Sequence, residues 1–310
     1  MEPPPLFIIG CPRSGVSLLE EILGAHPELA WVSQYQNKFP KVLGISTLNC
    51  AYGIPTIGKW LYLAAIGVKV FNKRILPYPT EPWDFLITHL PDFKKGVEFW
   101  KHRSWPKKNL DIGTLDQVHT IYAQLNLAQR KKQFFCSFAD FPRMDYLSQF
   151  FPSARFIHLV RDGRAVCESL WRVNNIGHYN SWAEHKIWAD FFPELWREQF
   201  LRRHYNLFAL GIYRWMFYLD ICWKESKRFS PERYMQISYE DILAKPHDTL
   251  RRIQTFAGLG ISSHIDWYIQ KSPPLQCNRK WRKALTKEQL DEFFDIVLEE
   301  RFLELLREDM

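Results

Sequence analysis

Short apolar runs, each cut off by a small or polar cluster and then resumed at helical spacing, set the rhythm of this chain. The run Leu6–Ile9 stops at Gly10 and Cys11 and resumes at Val16, Leu18 and Leu19, an order that predicts strand, loop and helix. The succession recurs with a strand over Gln133–Phe138 before a helix over Pro142–Phe150, and with a strand over Arg155–Val160 before a helix beginning near Gly163. It recurs again with a strand over Tyr234–Ser238 before Tyr239-Glu240-Asp241, which opens a helix. Strands alternating with helices imply a parallel sheet, so the predicted fold class is α/β, three layers α/β/α around a central parallel sheet.

Other stretches fill in that frame. Trp182 to Arg228 reads as a long helical region whose aromatic and aliphatic spacing marks core. The run from Trp60 to Phe71 contains Lys69 and is too short to span a bilayer, so it predicts a buried helix and no membrane span. Near the end, Thr286 and Gln289 form a capping box ahead of Leu290, Phe293, Phe294, Val297 and Leu298, which follow a helical repeat. Residues 35–130 show no such regularity and read as a substrate-side insert within one domain over residues 1–310. No linker, internal repeat or low-complexity tract divides the chain.

The loops at the ends of the predicted strands carry the chemistry. Gly10-Cys11-Pro12-Arg13-Ser14-Gly15 leads into a helix, and such a loop leaves backbone N–H groups at the positive end of a helix, where phosphate oxygens are the natural acceptors. The stretch Gly10 to Ser17 lacks the lysine that the phosphate loop of kinases and ATPases requires, which disfavours a kinase. Taken alone, this segment is equally an ordinary strand-to-helix turn with a solvated arginine. The second loop, Val160-Arg161-Asp162-Gly163, puts Arg161 at the carboxyl edge of a strand, where ligands of open α/β sheets bind, with Ser169 two turns into the following helix.

Both loops together resemble the sulfotransferases that use 3′-phosphoadenosine 5′-phosphosulfate (PAPS), including the bacterial-type members with a P-loop-like fold. Pro12-Arg13-Ser14-Gly15-Val16-Ser17-Leu18-Leu19 is similar to the Pro-Arg-Ser-Gly-Thr-Thr-Leu-Leu form of their 5′-phosphosulfate loop, with Val16 replacing a threonine. Arg161 and Ser169 match their 3′-phosphate motif in residue type and order. The resemblance implies that Pro12, Arg13, Ser14, Gly15, Val16, Ser17, Leu18, Arg161 and Ser169 bind the nucleotide, and that Arg13 also stabilises the transition state. A third segment, Arg279-Lys280-Trp281, lies where family members carry a basic or Lys-Trp element over the 3′-phosphate; a solvated basic loop accounts for it equally. Asp162 and Arg164 are expected to cap and decorate their helix.

The implied reaction moves the sulfuryl group of PAPS to an acceptor hydroxyl and releases adenosine 3′,5′-bisphosphate (PAP), with no metal. The partners are thus a nucleotide donor and a hydroxyl acceptor, for which a glycan or small alcohol is the first expectation. Trp60, Tyr62, Tyr78, Trp83, Trp100 and Trp105 in the insert offer flat faces for such a molecule, or else belong to the core. The general base departs from the family. Some cytosolic relatives carry Lys-x-His 24 and 22 residues before the 3′-phosphate arginine, where this chain has Ser137 and Ala139. Others use a glutamate after the first helix, where this chain has Ser33-Gln34-Tyr35-Gln36-Asn37. Asp140 is the nearest acid–base candidate, and equally a helix cap ahead of Pro142. His89 and His102 are weaker ones. The departures leave open a non-catalytic relative that binds PAPS or PAP, and a P-loop nucleotide kinase remains the third reading.

Composition narrows the partners further. The 310 residues are 46% hydrophobic and carry a formal charge of +7, and because residues 291–310 hold eight acids against two bases, the remainder carries +13. An anionic nucleotide suits that balance. Nucleic acid is disfavoured, since the basic residues are scattered among apolar segments and no nucleic-acid module is present. Six cysteines without a CxxC pair, and a start without a basic leader, predict reduced thiols and a cytoplasmic protein.

Overall fold

Alternation along the strands decides the layers. In β1 (Leu6–Ile9) all four residues are fully buried, but Leu6 and Ile8 join one apolar cluster while Phe7 and Ile9 join another, as successive side chains of a strand must. The first cluster includes Leu19 and Leu23 of the helix Val16–Gly24 together with Ile253 and Ile265 from the later helices Pro246–Ala257 and Ser263–Lys271. The second is dominated by the helix Leu207–Ser226. Helices therefore cover both faces. In the computed structural model, which describes residues 3–67, 74–94, 111–175, 189–204, 206–272 and 280–299, the result is the expected three-layer α/β/α arrangement.

The sheet comprises β1, β2 (Leu29–Ala30), β3 (Gln133–Phe138), β4 (Arg155–Val160) and β5 (Tyr234–Ser238), in the order β2-β3-β1-β4-β5 with every pairing parallel. Ile9 lies opposite Phe138 on one side and His158 on the other. The connection from β3 to β4 passes over β1, so loops on either side of β1 diverge at its carboxyl end and leave a crevice there. Beyond β2, Ser33 makes an antiparallel bridge with Pro79, which lays residues 76–80 along that side of the sheet.

β3, β4 and β5 have the bounds predicted from sequence. The capping box forms, Thr286 N–H donating to Gln289 Oε1 and Gln289 N–H to Thr286 Oγ1. The helical region read from Trp182 to Arg228, of which 182–188 lie outside the described residues, holds two helices, Glu194–Arg202 and Leu207–Ser226, separated where Asn206 caps the second through Phe208 N–H. Two expectations need correction. The terminal helix Lys287–Glu299 buries Phe293, Ile296 and Val297, while Phe294 and Leu298 face outward, because it presents a narrower stripe than its repeat suggests. The helix near Trp60 spans Ile57–Gly67 and is buried on one side only: Tyr62, Ala65 and Ile66 are covered, whereas Trp60 is 55% exposed and meets Trp267 edge-on. Among the described residues no helix is long and apolar enough to cross a membrane.

Phe7 is the central aromatic of the sheet, its ring 5.6 Å from Phe156, 5.9 Å from Phe151 and 6.2 Å from Phe138. Phe7→Ala should destabilise the protein by about 3–5 kcal/mol through lost burial and a residual cavity. Urea unfolding measures this, and a loss below about 1 kcal/mol would mean that the sheet collapses onto the vacancy.

Candidate active site

The loop after β1 is held open by its backbone. Arg13 has φ 73° and Gly15 φ 99°, both in the left-handed region, and Ser14 N–H turns back onto the Cys11 carbonyl at 3.0 Å. Gly15 N-caps the helix Val16–Gly24 without a side-chain cap, which leaves the first amides of that helix facing whatever occupies the loop. Gly15 is required twice over. Its φ is unfavourable to a side chain, and an added Cβ would stand 2.4 Å from the Tyr239 ring. The Ser14 hydroxyl is buried without a hydrogen-bond partner and lies against Gly10. Val16 packs into the apolar cluster with Leu6 and Ile8, so the departure from threonine is filled by core. Cys11 is also buried, and its thiol is pushed up to about 12 by that burial, Arg214 opposing it only in part.

The second loop closes directly onto the first. Arg13 Nε donates to Ser169 Oγ at 2.9 Å across 156 residues, and Arg161 Nη1 donates to the Arg13 carbonyl at 2.8 Å across 148 residues. The Arg161 guanidinium also lies 4.4 Å from the centre of the Tyr239 ring, the same ring that floors Gly15. Glu240 accepts from Asp162 N–H at 3.1 Å and Trp215 Nε1 donates to the Arg161 carbonyl at 3.3 Å, so the turn after β4 is braced from two sides. Arg13, Arg161 and Ser169 thus converge at the carboxyl edge of β1 and β4.

The third segment reaches the same region less directly. Trp281 is buried and its ring lies 4.1 Å from the Arg164 guanidinium, which is paired with Asp162 at 3.0 and 2.7 Å. Asp162 also accepts from Arg164 N–H at 2.9 Å, the capping expected of it. Lys280 is exposed and Arg279 lies outside the described residues.

Beyond β3, Asp140 accepts from Arg143 Nη2 at 2.9 Å and Tyr218 Oη at 3.3 Å, with the fully buried Arg143 guanidinium over Trp83 and Phe93. It is an anchor for that arginine and not a cap: the helix Met144–Phe150 has no side-chain cap at Arg143, and Met144 N–H is held by Glu225. His89 Nε2 donates to the Pro40 carbonyl at 2.9 Å, a structural tie, and His102 lies outside the described residues. Among the insert aromatics Tyr62 and Trp83 belong to the core, while Trp100 and Trp105 lie outside the described residues. Two carboxylates escape a sequence reading. Glu20, on the first helix, is buried beside Ser137, and Glu81 accepts from Ala139 N–H at 3.2 Å. Glu20 stands beside Glu21 on that helix, and nothing local tells the buried acid from its neighbour; nothing local marks Glu81 either. Among the described residues no group of His, Cys, Asp or Glu could hold a metal ion.

Residues 4–49 and 87–263 match the profile of the Sulfotransferase family. The chain belongs to that family. Human carbohydrate sulfotransferase 3 is 29% identical over 145 residues, 46% of this chain and 26% of the relative, so the match spans about a quarter of the curated relative's length. Among solved structures, sulfotransferase STF9 from Mycobacterium avium aligns with a TM-score of 0.55 at 17% identity, covering 97% of this chain and 77% of that one. Sulfotransferase STF1 from Mycobacterium tuberculosis H37Rv aligns with a TM-score of 0.55 at 14% identity, covering 95% and 77%. These likenesses establish the shared fold.

Burial, chiefly, and the nearby Glu81 charge hold the Glu20 carboxyl well above the usual carboxylate range, and the Ser137 hydroxyl opposes them. Below the usual carboxylate pKa Glu20 is protonated folded and unfolded; as pH rises past it, only the unfolded chain ionises and stability is lost. Glu20→Gln should therefore gain stability over the parent protein at pH 8 and gain little at pH 4. Urea midpoints at the two pH values test this, and an equal difference at both would place the ionised form inside the fold.

Proposed function

We propose that this sulfotransferase-family chain transfers the sulfuryl group of PAPS to an acceptor hydroxyl and releases PAP. The observation that carries the reading is the meeting of Arg13, Arg161 and Ser169, drawn from two motifs far apart in sequence, around a loop whose amides point outward from a helix N-terminus. The loop amides and Arg13 hold the 5′-phosphosulfate, and Arg161 with Ser169 binds the 3′-phosphate. As the sulfur–oxygen bond to the 5′-phosphate breaks, negative charge grows on the bridging oxygen. Amides and a guanidinium already fixed in place stabilise that charge more in the transition state than in the bound donor. The side of Trp281 next to Arg164 borders the same crevice.

The likeness to a protein named a carbohydrate sulfotransferase supports a sugar hydroxyl as the acceptor. A second reading, a relative that binds the nucleotide without transferring sulfate, is favoured by Ser137 and Ala139 in the places where some relatives hold a lysine and a histidine. Thermal-shift measurement with PAP against Mg-ATP tests the nucleotide, because a ligand of the folded state raises the midpoint by mass action. Stabilisation by PAP alone is expected. Stabilisation by Mg-ATP alone would replace the reading with a kinase-like one.

Arg161→Ala should weaken PAP binding by about 1.5–3 kcal/mol, the range of a lost charge-assisted hydrogen bond. Adenosine 5′-phosphosulfate, which has no 3′-phosphate, should bind parent and variant alike in the same calorimetric titration. An equal loss for both ligands would take Arg161 off the 3′-phosphate and assign it to bracing the loop through the Arg13 carbonyl and the Tyr239 ring.

A further inference from the structure

Residues 29–80 hold no acidic side chain, although Lys38, Lys41, Lys59, Lys69, Lys73 and Arg74 lie within them. The helix Ile57–Gly67 belongs to this stretch. Gly58, Tyr62, Ala65 and Ile66 are its buried positions, and a helix seated in that way on a water-facing surface carries polar residues on its outer side. Here the outer side is apolar: Ile57 is 58% exposed, Trp60 stands out beside Trp267, and Leu61, Leu63 and Ala64 are half-buried. Ile54, 45% exposed, continues that surface, since its carbonyl accepts from Gly58 N–H at 2.8 Å. Lys59 is the single charged side chain of the helix.

Cations frame the patch. Lys271 Nζ lies 5.9 Å from the centre of the Trp60 ring, which puts an ammonium group at its edge. Lys59 and Lys131 line one cleft with His264 and Trp267. Burial first, and then the charges of Lys59 and Lys131, hold the His264 imidazole below its usual range, so both lysines stand near it. Glu21, Glu28 and Asp266, the carboxylates that flank this region, are engaged by Arg74, Lys132 and His247. The patch is therefore apolar with a positive border.

A bilayer that contains anionic phospholipid is built to match, with a negative headgroup layer over hydrocarbon. A second copy of this chain is not, because a two-fold contact would set each lysine border against its own like. The helix is too short to span, since its 11 residues reach about 16 Å, roughly half of the hydrocarbon core. We propose that this face docks on an anionic lipid bilayer, with Ile54, Ile57 and Trp60 in the boundary between headgroups and acyl chains and Lys59 and Lys271 on lipid phosphates.

Co-sedimentation with vesicles tests this, using phosphatidylcholine alone and phosphatidylcholine mixed with phosphatidylglycerol, at low and high salt. The parent protein should bind the mixed vesicles at low salt, bind phosphatidylcholine weakly, and be partly released by salt. Lys59→Gln combined with Lys271→Gln should weaken binding to mixed vesicles about 25-fold, at about fivefold for each lysine near an anionic surface. Ile54→Gln combined with Ile57→Gln should weaken it about tenfold or more through lost apolar insertion. Urea midpoints of both pairs should match the parent, because none of the four side chains is buried. Ile57→Gln alone keeps the comparison open if a pair unfolds. A parent that ignores anionic vesicles, or binds phosphatidylcholine equally well, overturns the proposal, and so does vesicle binding that neither pair weakens, since another surface then makes the contact. Weakening in the lysine pair alone overturns insertion and leaves only surface adsorption. A parent that dimerises through Ile54 and Ile57 in analytical ultracentrifugation and leaves vesicles unbound assigns the face to a second copy.

Discussion

Tyr239 lies so close beneath Gly15 that the two loops of the site share one support. The ring leaves no room for a Cβ at Gly15, and its face receives the Arg161 guanidinium at 4.4 Å. Arg161 in turn holds the Arg13 carbonyl, and Arg13 holds Ser169. Because Tyr239 directly follows β5 and Glu240 braces the turn at Asp162, the outer strand on one side of the sheet positions a loop that springs from its centre. Left-handed backbone at Arg13 and Gly15 costs on the order of 1–3 kcal/mol per strained residue where the residue is not glycine. The surrounding contacts maintain a geometry that the isolated loop would abandon.

On the other side of β1, a buried cation ties the insert to the sheet. Arg143 is fully enclosed, its guanidinium 5.2 Å from the ring centres of Trp83 and Phe93 and 5.9 Å from that of Phe138. Burying such a charge is costly unless it is paired and hydrogen-bonded, and Asp140, the Phe141 carbonyl and the Lys94 carbonyl meet that demand. Trp83 reaches both this cluster and, through Nε1, the Glu81 carboxylate. Trp83 and Phe93 thus seat a cation, and Trp83 also steers an acid.

How much of this the sequence reveals depends on the range of the forces involved. β1, β3 and β4 are legible because strands covered on both faces read as mainly apolar runs, and the loops after β1 and β4 carry residues needed at fixed local spacing; the partly exposed β5 is legible from the helix opening that directly follows it. The two-residue β2 has no such run. The long helical stretch hides its break because Arg202, Arg203 and His204, just before the capping Asn206, suit a solvent-facing helix turn as well as a connection. The terminal helix carries more apolar positions than its neighbour can cover, so Phe294 and Leu298 are misread as core. Arg13, Arg161 and Ser169 are each visible alone, whereas their contact is a property of the sheet order. Glu81 is opaque for the same reason carried further: its position depends on a bridge between Ser33 and Pro79 that no periodicity announces.

That bridge has a second effect. Val32–Gln34, where the chain continues beyond β2, would otherwise present an open row of unpaired amides and carbonyls, a template for pairing with another molecule. Residues 76–80 cover it, and Pro79 at the bridge has no N–H to offer outward. The strip of chain that delivers Glu81 is also the hem of the sheet. Shortening the insert would therefore expose an adhesive edge, so its length cannot be changed without a consequence for solubility.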